Sequence, residues 1–265
     1  MKHIVCYSGG ESSALVLLDV VKKEGKENVI ALNHDIPAHV EHPDIKRFKN
    51  EVVDYLGMPI TYANHKDPTK DQFDVCVDAK AFKVNNGMEL CTNRLKTAPF
   101  NEYLEKHHAE KNVIIYYGFD ANERARVQRR VGILAAQGYR SAYPLAHAKP
   151  EVMNIEVLGI KKPLAYASFK HANCTGCLKA GMQHWYIVYC QRFDIYEKAM
   201  WAEDEIGYSI HAESTLREMM PKFEAMKQSG IPQTEHIPHQ TFWAGVRKII
   251  DIVPEQAQIP CDCIS

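Results

Sequence analysis

Short apolar runs alternate with longer amphipathic ones through the first half of the chain. His3-Ile4-Val5-Cys6-Tyr7 reads as a buried strand, Ser8 to Ser13 as a polar loop, and Ala14 to Val21 as a helix packed on a sheet. Val29 to Leu32 predicts a second strand, ending at Asn33-His34-Asp35. Pro43 to Leu56 predicts a helix with Ile45, Phe48, Val52 and Val53 on one side. Ile60 to Ala63 predicts a third strand, and the polar stretch Asp67 to Asp71 a loop. A helix is expected near Pro99, with Phe100, Tyr103 and Leu104 as its apolar face. Val113 to Tyr117 predicts a fourth strand ending at Gly118, and Asn122 to Gln137 a helix that starts charged and becomes apolar.

Strand, helix and strand at this spacing predict an α/β fold, a doubly wound parallel sheet with helices on both faces. Ligands of such sheets lie beyond the carboxyl ends of the strands. Ser8, Asn33-His34-Asp35 and Gly118-Phe119-Asp120 occupy such ends. The second half reads as mainly helical. Trp185 to Glu205 predicts a helix pair or one long helix, Leu216 to Lys227 another, and Phe242 to Ile252 a short one, with a proline- and histidine-rich loop from Ile231 to Gln240. Two domains are expected, 1–162 and a cysteine-bearing region 163–265 with an irregular tail from Pro254.

The loop Ser8-Gly9-Gly10-Glu11-Ser12-Ser13 carries the clearest chemistry. Two glycines allow a tight turn and close backbone approach. The turn then offers unpaired N–H groups and hydroxyls at a helix start, an anion site suited to phosphate. It is neither a Walker A loop, lacking the Gly-Lys-Ser/Thr end, nor a Gly-x-Gly-x-x-Gly dinucleotide turn.

Composition narrows the classes. The 265 residues are 46% hydrophobic and 25% charged, ordinary for a globular chain, and the net charge of −1 gives no global field toward nucleic acid or anionic membrane. A basic run from Arg124 to Arg140 remains as a local patch for phosphates. No apolar stretch is long enough to span a bilayer and no signal-peptide pattern opens the chain, so no membrane and a cytoplasmic location are expected.

Among eight cysteines, Cys174-Thr175-Gly176-Cys177 forms a Cys-x-x-Cys able to grip a metal ion or an iron–sulfur cluster. Cys91, Cys261 and Cys263 are the other candidate ligands. Thiolates favour Zn²⁺ or iron–sulfur clusters over hard cations, and ligand chemistry alone leaves the two open. Cys6 and Cys190, in apolar runs, read as core residues, and Cys76 has no assigned role.

Several segments in order resemble the phosphoadenosine phosphosulfate (PAPS) reductase family of the PP-loop ATP pyrophosphatase, or adenine nucleotide alpha hydrolase, superfamily. Ser8 to Ser13 is similar to the PP-loop, with Ser12 at the place of the common Asp and Glu11 where Lys is frequent. Asp35 matches the acidic residue ending the second strand, Cys91-x-x-Arg94-x-Lys96-x-x-Pro99 the family's Cys-Cys-x-x-Arg-Lys-x-x-Pro segment, and Gly118-x-x-Ala121-x-Glu123-x-x-Arg126 its later Gly…Glu…Arg segment. Asn173-Cys174-x-Gly176-Cys177 matches the cysteine pair. The likeness covers roughly residues 1 to 205, and the tail Pro260-Cys261-Asp262-Cys263 departs from the reductases' Glu-Cys-Gly-like end.

The resemblance implies a Rossmann-like nucleotide domain that binds ATP or PAPS with Mg²⁺. It implies Ser8, Gly9, Gly10, Ser12, Ser13, Asp35, Gly118 and Glu123 as nucleotide-side residues, with Lys96 and Arg126 as anion clamps and Arg94 and Arg130 as further candidates. An acceptor oxygen would attack the α-phosphorus, and sulfur transfer would follow. Cys91, Cys174 and Cys177 would hold an open cluster, or Cys261 or Cys263 would close the site, or a tail cysteine would be the attacking thiol. Reduction of PAPS or adenosine phosphosulfate by a tail thiol, and a nucleotide-binding module with structural zinc and no turnover, stay as alternatives. The acceptor, small molecule or nucleic acid, is left open, as is a homodimer.

Overall fold

The apolar run at the N-terminus becomes β1, Lys2–Cys6, the middle of a five-stranded sheet. The computed structural model describes residues 1–84, 87–172 and 174–250. In chain order β1 is followed by α1 (Glu11–Glu24), β2 (Val29–Asn33), α2 (Pro43–Leu56), β3 (Ile60–Tyr62), α3 (Gln72–Asp78), α4 (Leu90–Thr92), α5 (Ala98–His107), β4 (Val113–Tyr116), α6 (Arg124–Ala136), β5 (Arg140–Ala142), α7 (Pro144–His147), α8 (Met182–Gln191), α9 (Phe193–Ile206), α10 (Leu216–Gln228) and α11 (His239–Ile249). A π-helical turn, Asn93–Thr97, joins α4 to α5.

The sheet is all parallel, in the order β3-β2-β1-β4-β5. The chain steps outward from β1 to β3, then returns beside β1 with β4, so the winding reverses between β1 and β4. Strand residues alternate faces. Val5, Tyr7 and Ala31 pack with Val16, Leu17, Phe48 and Val52 of α1 and α2. Ile4, Leu32 and Ile115 pack with Phe100, Leu104 and Leu134 of α5 and α6. Different helices therefore cover the two faces, an α/β fold.

The chain divides into two units. One comprises 1–35, 42–66 and 96–164, and the other 36–41, 67–95 and 165–265. The second unit thus takes two early segments besides the region after Leu164. Phe73, Val75 and Cys76 of α3 belong to its core, with Trp185, Tyr186, Tyr196 and Phe223. Cys76 is a core residue, and half-buried Cys6 packs against the apolar cluster of the first unit, its thiol pushed up to about 11 by burial. The aromatic run after Trp185 is a helix pair. It breaks at Arg192, whose guanidinium pairs with Asp194 at 2.7 Å and also donates to the His39 carbonyl.

Capping sets several helix starts. Asp71 accepts from Phe73 N–H and Asp74 N–H, and Asp74 returns a bond to Asp71 N–H. Thr215 and Glu218 form the same reciprocal box on α10. Thr215→Ala is expected to cost the second unit about 1 kcal/mol. The check is urea unfolding followed by tryptophan fluorescence; a midpoint equal to wild type would contradict it.

Candidate functional site

The first unit gathers its polar strand ends at the carboxyl edge of the sheet. After β1, Tyr7 is buried and donates its N–H to the Leu32 carbonyl at 2.8 Å. Ser8 is exposed. Gly9 has φ +85°, a left-handed value that disfavours any side chain. A Cβ there would lie 2.8 Å from Lys49 Cγ and Cδ and 3.0 Å from Ile45 Cγ2, so the turn rests directly on α2. Gly10 precedes α1 and supplies no side-chain cap to its first turn. Ser13 Oγ donates to the Gly10 carbonyl at 2.8 Å, and Ser8 Oγ to Ser13 Oγ at 3.3 Å. Ser12 is exposed beside them.

Beyond β4, Gly118 touches the same turn. A Cβ on Gly118 would meet Ser13 N at 2.8 Å and Ser12 C at 2.9 Å, both backbone atoms. Only a glycine lets the end of β4 approach the start of α1 this closely. Three glycines of the sequence pattern, Gly9, Gly10 and Gly118, are therefore brought together.

The end of β2 forms a second wall. Asn33 is buried, and its Nδ2 donates to the Tyr7 carbonyl. Asn33 Oδ1 accepts from Lys49 Nζ at 3.3 Å. His34 Nδ1 donates to the Ala63 carbonyl at 2.5 Å, which leaves Nε2 as the acceptor of a neutral ring. Burial lowers the His34 pKa to about 4, and the charges of Lys96 and Lys49 add to the effect. Lys96 thus lies near enough to act on this edge. Asp35 donates its N–H to Asn64 Oδ1 at 2.7 Å and holds Lys46 at 2.6 Å.

The third wall is aromatic. Tyr117, Phe119 and Tyr143 stack with ring centroids 5.3 to 5.9 Å apart. The Arg126 guanidinium lies over Phe119 at 4.1 Å and that of Arg130 over Tyr117 at 5.3 Å. Arg126 is also paired with Glu123, whose other oxygen accepts the Asp120 N–H at 2.9 Å. Arg126 and Glu123 thus neutralise each other and brace the 118–123 loop. Glu11, in the first turn of α1, pairs with Lys162 at 3.0 Å.

Sequence alone places Asn33 and His34 at a strand end lining the ligand crevice without giving their side chains a task, and it singles out neither Lys49 nor Tyr143. Lys49 was discoverable, because it occupies an apolar-stripe position between Phe48 and Val52.

In the second unit the Cys-x-x-Cys loop is anchored through its backbone. Thr175 N–H donates to the Val40 carbonyl at 2.7 Å, and buried Gln72 donates from Nε2 to the Thr175 and Gly176 carbonyls at 2.9 and 3.3 Å. Gly176 has φ +70°, and a Cβ there would strike Ile195 at 2.7 Å. Cys174 and Cys177 are half-buried, as is Cys91, and Cys91 and Cys174 pack against the unit's apolar core. None of the described cysteines is in a disulfide. Among the described residues no three His, Cys, Asp or Glu side chains are gathered as a metal site. Cys261 and Cys263 lie outside the described residues. No helix among the described residues is long and apolar enough to cross a membrane.

Among known proteins, the chain is 27% identical over 157 residues to the uncharacterized nin region protein ORF290 of Escherichia phage lambda. The match takes in 50% of this chain and 53% of that protein, so the chain spans about half the length of this relative. No family model and no solved structure matches the chain.

Proposed function

We propose that the first unit binds an adenine nucleotide by its phosphate tail, and that the protein is a cytoplasmic PP-loop enzyme of the PAPS reductase-like kind. In this reading it splits ATP between the α- and β-phosphates, adenylates an acceptor and supports sulfur transfer. The observation that carries it is the junction of Gly9, Gly10 and α1. A helix start without a side-chain cap follows a left-handed glycine and is pressed by Gly118, where the winding of the sheet reverses. Open parallel sheets of the Rossmann-like class seat ligands beyond their carboxyl edge at such a reversal. Exposed N–H groups and the helix dipole both favour an anion there.

Each residue then has a task. Backbone N–H groups of the turn, with the hydroxyls of Ser8, Ser12 and Ser13, would hold pyrophosphate as it leaves. Lys96 would balance charge on the α-phosphoryl group during attack. Arg126, already paired with Glu123, would set the loop and the Phe119 ring rather than meet phosphate alone. Mg²⁺ arriving with the nucleotide would find Asp35 and Glu123 each holding a cationic side chain and would have to displace it. The rate gain would come from positioning and charge stabilisation.

The thiols of Cys91, Cys174 and Cys177 share one unit and fit a soft metal centre by donor type, with Cys261 and Cys263 as further donors. An iron–sulfur cluster there would supply sulfide or electrons, and Zn²⁺ a structural clip.

The deciding experiment follows pyrophosphate released from ATP with a panel of small-molecule and RNA acceptors. Release that depends on acceptor is expected. Sulfite released from PAPS with thioredoxin would instead select the reductase reading, and nucleotide binding without either product the non-catalytic one. Absence of any nucleotide binding would remove all three. The absorbance spectrum and zinc content of the purified protein separate cluster from zinc.

A further inference from the structure

Helix α6 carries its charges at the wrong end. Its 13 residues hold Arg124, Arg126, Arg129 and Arg130 and no carboxylate, and all four arginines fall in its first half. A helix start is the positive end of the backbone dipole, so cations there are unfavourable, and Arg126 and Arg130 repel at i,i+4. Packing accounts for two of them: the Arg126 guanidinium lies over Phe119 and that of Arg130 over Tyr117. Arg124 and Arg129 are exposed and make no ion pair or ring contact among the described residues. The acids that precede the helix are engaged, Glu123 by Arg126 and Asp120 Oδ1 by the Asn122 N–H at 2.7 Å. The helix buries Leu134 alone, so most of its surface faces outward. At about 100° per residue, Arg124 and Arg129 stand on either side of a strip made by Ala125, Gln128, Gly132 and Ala136, all exposed. A Cβ on Gly132 would meet nothing within 4 Å. Val131 and Ile133, 42% and 43% exposed, lie on opposite flanks, so this face has no apolar centre on which a protein interface could build.

We infer that this face of α6 is the docking surface for a nucleic-acid strand, with Arg124 and Arg129 on its phosphates and the low strip between them admitting its backbone. Guanidinium forks match phosphate oxygens through two parallel hydrogen bonds. Small side chains keep the strip shallow, and Gln128 adds donors and an acceptor for sugar or base. Unpaired positive charge selects an anion, and the missing apolar centre selects a polyanion over an ordinary protein surface. With a net charge of −1 on the whole chain, the attraction is local to this face. α6 starts where the loop after Gly118 ends, and Gly118 itself abuts Ser12 and Ser13 of the phosphate turn. A strand lying on α6 would therefore lead to that turn from the β4 side. Its role there, as the acceptor, rests on the nucleotide reading, whereas the docking itself does not.

The test is fluorescence anisotropy of the full chain with labelled single-stranded RNA and DNA oligonucleotides of one sequence, across a range of salt. Wild type is expected to bind, with affinity falling as salt rises. The double variant Arg124→Gln, Arg129→Gln should bind about tenfold more weakly, with a log–log salt slope shallower by about 1.4, the share of two phosphate contacts on a single strand. Gly132→Glu is the second variant. Its side chain enters open space and glutamate suits a helix better than glycine, so the fold is kept while a negative charge faces the strand. It should lose a similar factor, and ATP affinity should stay within twofold of wild type in both proteins. The RNA and DNA arms decide which strand is taken. Oligonucleotide affinity within twofold of wild type in these variants would overturn the inference, and so would equal binding of poly-glutamate, which marks an acidic protein as the occupant. A wild type that binds ATP but neither strand would overturn it as well and leave the nucleotide reading standing. Binding of a strand without any binding of ATP would support the docking surface and remove the nucleotide reading.

Discussion

Gly118→Ala is expected to weaken nucleotide binding about a hundredfold and to cost the first unit about 1–3 kcal/mol. The single added carbon would stand 2.8 Å from Ser13 N, 2.9 Å from Ser12 C and 3.1 Å from Ser12 O. All three are backbone atoms in the first turn of α1, so no rotamer change relieves the overlap. Either β4 withdraws from the turn, or the start of α1 tilts away and its N–H groups lose their common aim. Gly9→Ala meets a softer obstacle, the methylenes of Lys49, but adds the left-handed strain of φ +85°, about 1–2 kcal/mol. Its binding loss should be smaller, because Lys49 can shift. Titration with ATP and urea unfolding by far-UV circular dichroism measure both effects. A Gly118→Ala protein with wild-type affinity would mean that the first turn of α1 does not seat the ligand.

The β1–α1–β2–α2 frame was legible because each strand is a short apolar run and each helix keeps its stripe, both local properties. β5 escaped notice. It is three residues long, begins with an arginine, and owes its strand state to pairing with β4 at Ile114↔Arg140 and Ile115↔Ser141. Such pairing leaves no local pattern. α3 was missed for a related reason. Seven residues make only two turns, and its burial of Phe73 and Cys76 depends on α9, more than a hundred residues later. The same long-range packing assigns 67–95 to the second unit, although a reading by chain order assigns it to the first.

The site was legible where backbone conformation makes the demand and obscure where packing does. Gly9 and Gly10 announce a turn through residue type. Gly118 carries a weaker mark, since its φ is ordinary and its necessity comes only from Ser12 and Ser13 pressed against it. Lys49 goes unnamed among the helix residues Ile45, Phe48, Val52 and Val53 that sequence places on one side. Its position three and four residues from the apolar ones should have raised the question of a buried ammonium. Among the charges that were proposed from sequence, Asp35, Glu123 and Arg126 turn out to hold ion pairs within the first unit.

Acidification from pH 7 to pH 4 should remove on the order of 3 kcal/mol from each unit through one buried histidine apiece. Burial lowers the His34 pKa in the first unit and the His211 pKa in the second, each from 6.5 to about 4. Between those values the unfolded chain binds a proton that the folded one refuses, so stability is complete above about 6.5 and is lost as pH falls toward 4. His211 Nε2 is buried without a partner, so the folded state offers the extra proton no acceptor. In the second unit Glu203, raised by burial, works in the opposite sense and offsets part of the loss. Asp71 and Glu235 deepen it at the acid end: burial raises both, but bonds from Lys198 and His39 to Asp71, and from His184 to Glu235, outweigh it and leave both low. All three tryptophans, Trp185, Trp201 and Trp243, belong to the second unit, so their fluorescence follows that unit alone while circular dichroism follows both. Urea midpoints by fluorescence should fall steadily from pH 6.5 to 4 in wild type and much less in His211→Phe. His34→Gln should leave the fluorescence profile untouched and flatten only the remaining dichroic transition. If the His211→Phe profile keeps the wild-type slope, the acid sensitivity of the second unit belongs to its carboxylates, and the buried imidazole beside Trp185 is not what makes the fold resist a proton.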